Sequence, residues 1–298
     1  MLQTLMKKVT RKDKMAQIIN GKEISAAIRA EIKENTARLV EESGIRPGLA
    51  VIIVGEDPAS QVYVRNKKKA CDEVGFYSES YELPENATQE ELNSLVDSLN
   101  KNEKIHGILC QLPLPKHLDE NEVIMRISPS KDVDAFHPEN VGKIMIGDYS
   151  FLPCTPAGVM ALLERSGIEV SGKECVVVGR SNIVGKPQAM LLLHANGTVT
   201  VCHSKTKDLA SVCRRADILV AAIGKADFFT GDMVKDGAVV IDVGMNRRAD
   251  GKLTGDVDFA SVEPKASYIT PVPGGVGPMT ITMLMQNTLT AAKNSIKR

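Results

Sequence analysis

The chain has 298 residues, enough for two domains that each bury a core, and 43% of its side chains are hydrophobic. Its 37 basic residues are balanced by 37 acidic ones, so no basic field is offered to nucleic acid or to an anionic membrane surface. No apolar run approaches the roughly 18–20 residues of a membrane helix, and a globular intracellular protein is expected.

The first fourteen residues, MLQTLMKKVTRKDK, carry five basic residues and one acid. They lack the apolar core of a signal peptide and read first as a disordered extension or an upstream start, with a targeting arm as the lesser alternative. The folded chain is expected from Met15. Ile24, Ile28 and Ile32 recur every four residues, which predicts an amphipathic helix ending near Gly44. GLAVIIVG (48–55) is a continuous apolar run and reads as a buried parallel strand. Asp57-Pro58 supplies a cap and a first helical position, and Gly75 a stop, so a helix is predicted over 58–75. A strand over 76–83, a helix over about 88–101 and a strand over 106–114 follow. Alternation of this kind implies a parallel sheet covered on both faces.

The Pro-, Gly- and Asp-rich block 129–158 is expected to be the irregular crossing between domains. Thr155-Pro156 predicts the start of a further helix ending at Gly167. Then KECVVVGRSNIVGKPQAMLLLHANGTVTVCHS reads as strand, tight turn, helix and strand within the size of one βαβ unit. Strands are expected within 216–224, 237–244 and 265–273, and a helix over 278–296. Domains are thus predicted over 15–153 and 154–277, the last helix packing back on the first domain. The six cysteines show no C-x-x-C pair and are expected to be buried free thiols. The five histidines have no ligand spacing, and no metal is expected.

The turn Gly179-Arg180-Ser181-Asn182-Ile183-Val184-Gly185 lies between a strand and a helix, where a dinucleotide pyrophosphate meets helix N–H groups. Its spacing is G-x-S-x-x-x-G rather than G-x-G-x-x-G, so by itself it fits either a phosphate cradle or a structural turn. The next strand ends in Cys202-His203-Ser204-Lys205-Thr206, with no acid to hold a ribose 2′-hydroxyl. A hydroxyl, a cation and the nearby Arg180 suit a 2′-phosphate, so NADP is favoured over NAD. On the helix 58–75, Tyr63, Lys67, Ala70 and Val74 share one face. Lys67 there either snorkels outward, the commoner case, or is desolvated and available for proton transfer.

Five motifs occur in order: S-x-x-Y-V-x-x-K-x-K-A (Ser60 to Ala70), G-I-L-x-Q-L-P-L-P (Gly107 to Pro115), K-D-V-D (Lys131 to Asp134), G-R-S-x-I-V-G-x-P (Gly179 to Pro187) and P-G-G-V-G-P-M-T (Pro273 to Thr280). Together they resemble the bifunctional methylenetetrahydrofolate dehydrogenase/methenyltetrahydrofolate cyclohydrolase family over nearly the whole chain. The resemblance implies an α/β fold of two domains around a cleft, an N-terminal folate domain and a C-terminal Rossmann-like domain binding NADP. It implies that Tyr63 stacks on the pterin, that Lys67 is the cyclohydrolase group, and that Gln111 supports it. Asp134 would bind the pterin amide edge, with Ser60, Cys110 and Leu112 nearby. Pro273, Gly274, Gly275, Val276 and Gly277 would line the folate cleft. Gly179, Arg180, Ser181, Ile183, Val184, Gly185, Ser204 and Met245 would hold the cofactor. A cytoplasmic homodimer acting on tetrahydrofolate derivatives is implied, without nucleic-acid or membrane partners. The alternatives are an enzyme with the dehydrogenase activity alone, against which Lys67 and Gln111 speak, and a non-catalytic NADP-sensing protein. Two positions depart from the family: Ala135 stands where Gly is usual after K-D-V-D, and Met245 where Ile is frequent. If position 135 needs a positive φ, Ala would cost stability or shift Asp134.

Overall fold

The computed structural model describes residues 15–56 and 58–296, without the side chains of Pro58, Ala59, Ser60 and Tyr63. The extension expected over 1–14 and the predicted cap Asp57 lie outside these residues.

The first half of the chain builds a small parallel sheet. β1 (Gln17–Ile18) leads into α1 (Gly21–Ser43), which buries Ile28, Ile32 and Leu39. Burial of each such side chain stabilises by about 1.5–3 kcal/mol. α1 is capped by the Asn20 side chain and stopped by Gly44 at φ 72°. β2 (Gly48–Val54) is buried at every position. It is followed by α2 (Pro58–Val74), β3 (Tyr77–Leu83), α3 (Gln89–Lys101) and β4 (Gly107–Cys110). The strands lie in the order β3-β2-β4, all parallel. α3 starts in a capping box of Thr88 and Glu91. The predicted strand 106–114 stops at Cys110, so Gln111 to Pro115 leave the sheet at its C-terminal edge.

The block read as an irregular crossing contains helix: α4 (Glu120–Arg126) just precedes it and α5 (Pro138–Ile146) lies inside it. Short length and cap-rich composition hide them from a periodicity reading, because seven to nine residues give barely two turns. α6 (Cys154–Arg165) begins at Cys154, one residue before the predicted Thr155 cap; the Thr155 hydroxyl instead hydrogen-bonds that of Thr280 at 3.0 Å.

The second half continues with β5 (Glu174–Val178), α7 (Gly185–His194), β6 (Thr198–Cys202), α8 (Leu209–Cys213), β7 (Ile218–Ala221) and β8 (Val239–Asp242). An antiparallel hairpin of β9 (Asn246–Arg247) and β10 (Leu253–Thr254) precedes α9 (Phe259–Val262) and β11 (Tyr268–Ile269). The six-stranded sheet has the order β1-β11-β8-β7-β5-β6 and is parallel throughout. β1 therefore joins a sheet whose other strands lie more than 150 residues downstream. The chain passes from β5 to β6 on one side, then crosses back to β7 on the other. That makes the C-terminal ends of β5 and β7 the switch point where α/β sheets bind ligands. Finally α10 (Val276–Ser295), starting two residues before Pro278, packs against α1, α2 and α6. The hydroxyls of Ser25 and Thr282 meet at 2.7 Å across the α1–α10 contact. All six cysteines are buried and free. The molecule is thus a two-domain α/β protein, as the sequence predicts.

Candidate active site and cofactor cradle

α2 brings Lys67 onto its buried face beside Ala70 and Val74, both 0% exposed. Lys67 itself is 8% exposed, so the commoner snorkelling arrangement does not hold here. With the ammonium inside, its amine must find an acceptor. Nζ donates to Gln111 Oε1 at 2.7 Å, and Gln111 Nε2 donates to the Leu112 carbonyl at 2.8 Å. The backbone N–H of Gln111 donates to Ile52 O at 2.8 Å, which ties this residue to the end of the sheet. The amide is thereby locked with its oxygen facing the lysine.

The K-D-V-D segment explains itself residue by residue. Lys131 Nζ donates to the carbonyls of Leu99 and Asn102 at 3.0 and 2.8 Å, closing the end of α3. Asp132 is buried and its Oδ2 accepts from His137 N and Asn140 Nδ2, both at 2.8 Å, holding the start of α5. Val133 is fully buried. Asp134 is left half-buried and within electrostatic reach of Lys67. Its Oδ1 accepts from the buried thiol of Cys154 at 3.5 Å. Asn287 of α10 secures the same spot by donating to Val133 O and Leu152 O at 2.8 and 2.7 Å. Asp132, Cys154 and Asn287 are supporting groups that sequence reasoning missed. The doublet Asp132/Asp134 was visible, whereas Cys154 meets Asp134 across 20 residues of chain and Asn287 meets Val133 and Cys154 across 154 and 133.

Burial pushes Lys67 below its ordinary value of 10.5, while Asp134 opposes the shift. Burial also lifts Asp134 to about 6 against the pull of Lys67. The Cys110 thiol, 9% exposed at the strand end, is pushed up to about 12 by burial and stays protonated. Near neutrality the cluster holds one carboxylate, one amine of weakened basicity and an amide that orients it. Ala135, immediately after, takes φ 57° while fully buried. This is the left-handed region in which a Cβ is costly, and it accounts for the family's glycine there. Ser60 and Tyr63 lie on α2, and their side chains fall outside the described residues. A hollow of about 1110 Å³ beside His106 and Lys131 sits at the opposite, N-terminal edge of the small sheet, away from this cluster.

The cofactor candidates converge on the switch-point edge of the larger sheet. Gly179 ends β5 at φ 138°, and a Cβ there would stand 2.2 Å from Ala222 O. A Cβ on Gly185 would stand 2.2 Å from Gly179 O. Neither position has room for a side chain, so the turn folds tightly onto the start of α7. Ser181 Oγ accepts from the N–H groups of Val184 and Gly185 at 3.2 and 3.3 Å. Arg180, Ser181 and Ile183 are exposed around this cradle. Ser204 and Lys205 are exposed just past β6, whose Cys202 carbonyl accepts from Gly179 N at 2.9 Å. Met245 follows β8, and a Cβ on Gly277 would lie 3.2 Å from Met245 Cε. Met245 thus bridges the cofactor edge to the Pro273–Gly277 loop that starts α10. Among the described residues, no group of three or more His, Cys, Asp or Glu side chains could hold a metal ion.

Comparison with known proteins finds matches for both halves of the chain. Residues 19–134 match the catalytic domain, and residues 153–296 the NAD(P)-binding domain, of tetrahydrofolate dehydrogenase/cyclohydrolase. The bifunctional protein FolD of Acetivibrio thermocellus is 64% identical over 95% of this chain and 99% of its own. The Campylobacter jejuni bifunctional FolD structure superposes with a TM-score of 0.92 at 52% identity, over 94% of this chain and 99% of its own. The Trypanosoma brucei enzyme, solved with NADP cofactor and an inhibitor, gives 0.91 at 44% identity over 96% and 100%. Family models that together cover most of the chain, joined by relatives alike from end to end, place this protein in the tetrahydrofolate dehydrogenase/cyclohydrolase family.

Proposed function

We infer that this protein oxidises 5,10-methylenetetrahydrofolate with NADP and hydrolyses the 5,10-methenyl product to 10-formyltetrahydrofolate. The observation that carries the second activity is the buried Lys67–Gln111 pair beside Asp134.

The cradle fits NADP: two glycines let the turn fold tightly onto the start of α7, as a dinucleotide turn requires, and Arg180, Ser204 and Lys205 gather near the end of β6 without an acid. Gly179, Arg180, Ser181, Ile183, Val184 and Gly185 hold the cofactor in this reading, with Ser204 at the 2′-phosphate and Met245 near the nicotinamide. Bound NADP supplies the hydride acceptor. The methylene carbon lies between two folate nitrogens whose lone pairs stabilise the cation left behind, so oxidation needs orientation more than proton relay. Asp134, with its acceptor oxygens, suits the donor-rich pterin edge, and the Pro273–Gly277 loop, Ser60, Tyr63, Cys110 and Leu112 complete the cleft. Hydrolysis of the methenyl cation requires a proton taken from water and one returned to nitrogen. Lys67 is the group for both transfers, because burial weakens its hold on a proton and Gln111 fixes its direction.

The balanced charge supports a small-molecule enzyme with no nucleic-acid or membrane partner, and no described helix is long and apolar enough to cross a membrane. A cytoplasmic homodimer belongs to the same reading; light scattering on the purified chain tests its dimeric state.

The deciding experiment assays both reactions on wild type and Lys67→Met, with NADP and with NAD. General acid–base catalysis is worth about 10²–10⁴-fold, so hydrolysis by the variant should fall by that factor while oxidation falls far less. Equal losses in the two reactions would remove Lys67 from the role; a wild type that turns over neither folate would overturn the function itself.

A further inference from the structure

Beyond the glycine turn, the C-terminal edge of the large sheet is held by two buried carboxylates that the scheme above does not use. Asp242 ends β8 at 3% exposure, and Asp256 follows β10 at 0%. Asp242 Oδ1 accepts from Gly244 N and Asp256 N, and its Oδ2 from Val257 N, all at 2.9 Å. Asp256 Oδ2 accepts from Ile223 N at 2.6 Å and Gly224 N at 3.0 Å; its Oδ1 accepts from Lys225 N at 2.8 Å and Asn246 Nδ2 at 2.9 Å. Six of these seven donors are backbone amides. A buried carboxylate that spends itself on main chain fixes where loops run.

The two acids are interlocked through neighbouring glycines. A Cβ on Gly244 would lie 2.2 Å from Asp256 Oδ1, and one on Gly255 would lie 1.8 Å from Asp242 Oδ2. The segments they hold flank the predicted meeting point of the two ligands. Ala222, whose carbonyl lies against Gly179, immediately precedes the residues gripped by Asp256. Asn246, gripped by the same carboxylate, immediately follows Met245, which reaches Gly277 in the folate loop.

We propose that Asp242 and Asp256 are positioning residues for hydride transfer: their clasp sets the segments 222–225 and 244–246 as the wall that aligns the nicotinamide end of NADP with the folate. The proposal rests on the functional reading above. It predicts that damage to the clasp separates the two activities, because hydrolysis at Lys67 and Gln111 needs no such alignment.

The test uses the full chain as wild type, Asp256→Asn and Asn246→Ala. Asn at 256 places an NH2 group against N–H donors on one side of the clasp. A displacement of about 1 Å can cost about 10²-fold in an oriented reaction. Asp256→Asn should therefore lower dehydrogenase kcat by at least about tenfold, leaving cyclohydrolase kcat within about twofold. Asn246→Ala, which removes one donor and no backbone contact, should give a smaller loss of the same selectivity; it decides the matter if Asp256→Asn does not fold. Parallel loss of both activities would mean a merely structural role, and unchanged dehydrogenase kcat in the variants would also overturn the proposal. A wild type inactive in both reactions would instead sink the functional reading, so the two failures are distinct.

Discussion

Gly185→Ala is the sharpest probe of the cofactor cradle. The new Cβ would stand 2.2 Å from Gly179 O, 2.4 Å from Gly179 C and 2.8 Å from Arg180 N. Ordinary contact begins at 3.4 Å, so the turn must open by about 1 Å. It cannot retreat at its other end, because Gly179 already lies against Ala222 O. Overpacking of this kind costs about 1–3 kcal/mol, and displacing an oriented ligand by about 1 Å costs up to about 10²-fold. The expected result is a dehydrogenase kcat/KM lowered by about 10²-fold, chiefly through a raised KM for NADP. Cyclohydrolase activity, centred on the other domain, should stay within about threefold of wild type. Steady-state assays of both reactions and a fluorescence titration with NADPH measure this directly. Unaltered NADPH affinity with normal oxidation would mean that the pyrophosphate does not lie on this turn, and the reasoning from Cβ contacts would be wrong.

Asp134→Asn tests the electrostatics of the pair. Asp134 raises the Lys67 pKa, so its loss should move the rising limb of cyclohydrolase kcat, whose midpoint lies below 10.5 in wild type, to still lower pH. In wild type, protonation of Asp134 as pH falls through about 6 should raise the KM for methenyltetrahydrofolate, an effect absent from the variant. A rising limb that moves to higher pH would refute the assignment. Arg180→Ala should erode the preference for NADP over NAD by about 10- to 100-fold, since a charge-assisted contact contributes about 1.5–3 kcal/mol, and equal effects on both cofactors would place Arg180 away from the 2′-phosphate. Ala135→Gly relieves about 1–2 kcal/mol of left-handed backbone but loses about 0.5–1 kcal/mol to chain entropy and about 0.8 kcal/mol of buried methyl. The terms cancel, so thermal unfolding should keep Tm within about 2–4 °C of wild type; a larger shift means that the neighbourhood of Asp134 rearranges.

The elements with strong local signals could be read from the chain itself. α1 follows from the Ile24–Ile28–Ile32 stripe and the Gly44 stop, and β2 from an unbroken apolar run between glycines. The glycine turn before α7 was visible because close backbone approach restricts residue type, whatever the rest of the fold does. Order and spacing of five motifs carried the family, and through it the site residues. What the chain alone did not decide depends on distant contacts. Lys67 had two open readings until the fold brought the Gln111 amide at the strand end to 2.7 Å from its amine and left the side chain 8% exposed. β1 is two residues of ordinary extended chain and becomes a strand only because β11 offers an edge. Asp242 falls inside the predicted strand 237–244 and Asp256 follows Gly255, and nothing in the sequence links the two acids or the glycines near them. Only the folded arrangement shows why the glycines are there: each leaves space for the other segment's carboxylate. Local patterns report propensity and period, whereas burial, ionisation and the pairing of short segments are set by whatever the rest of the chain brings alongside.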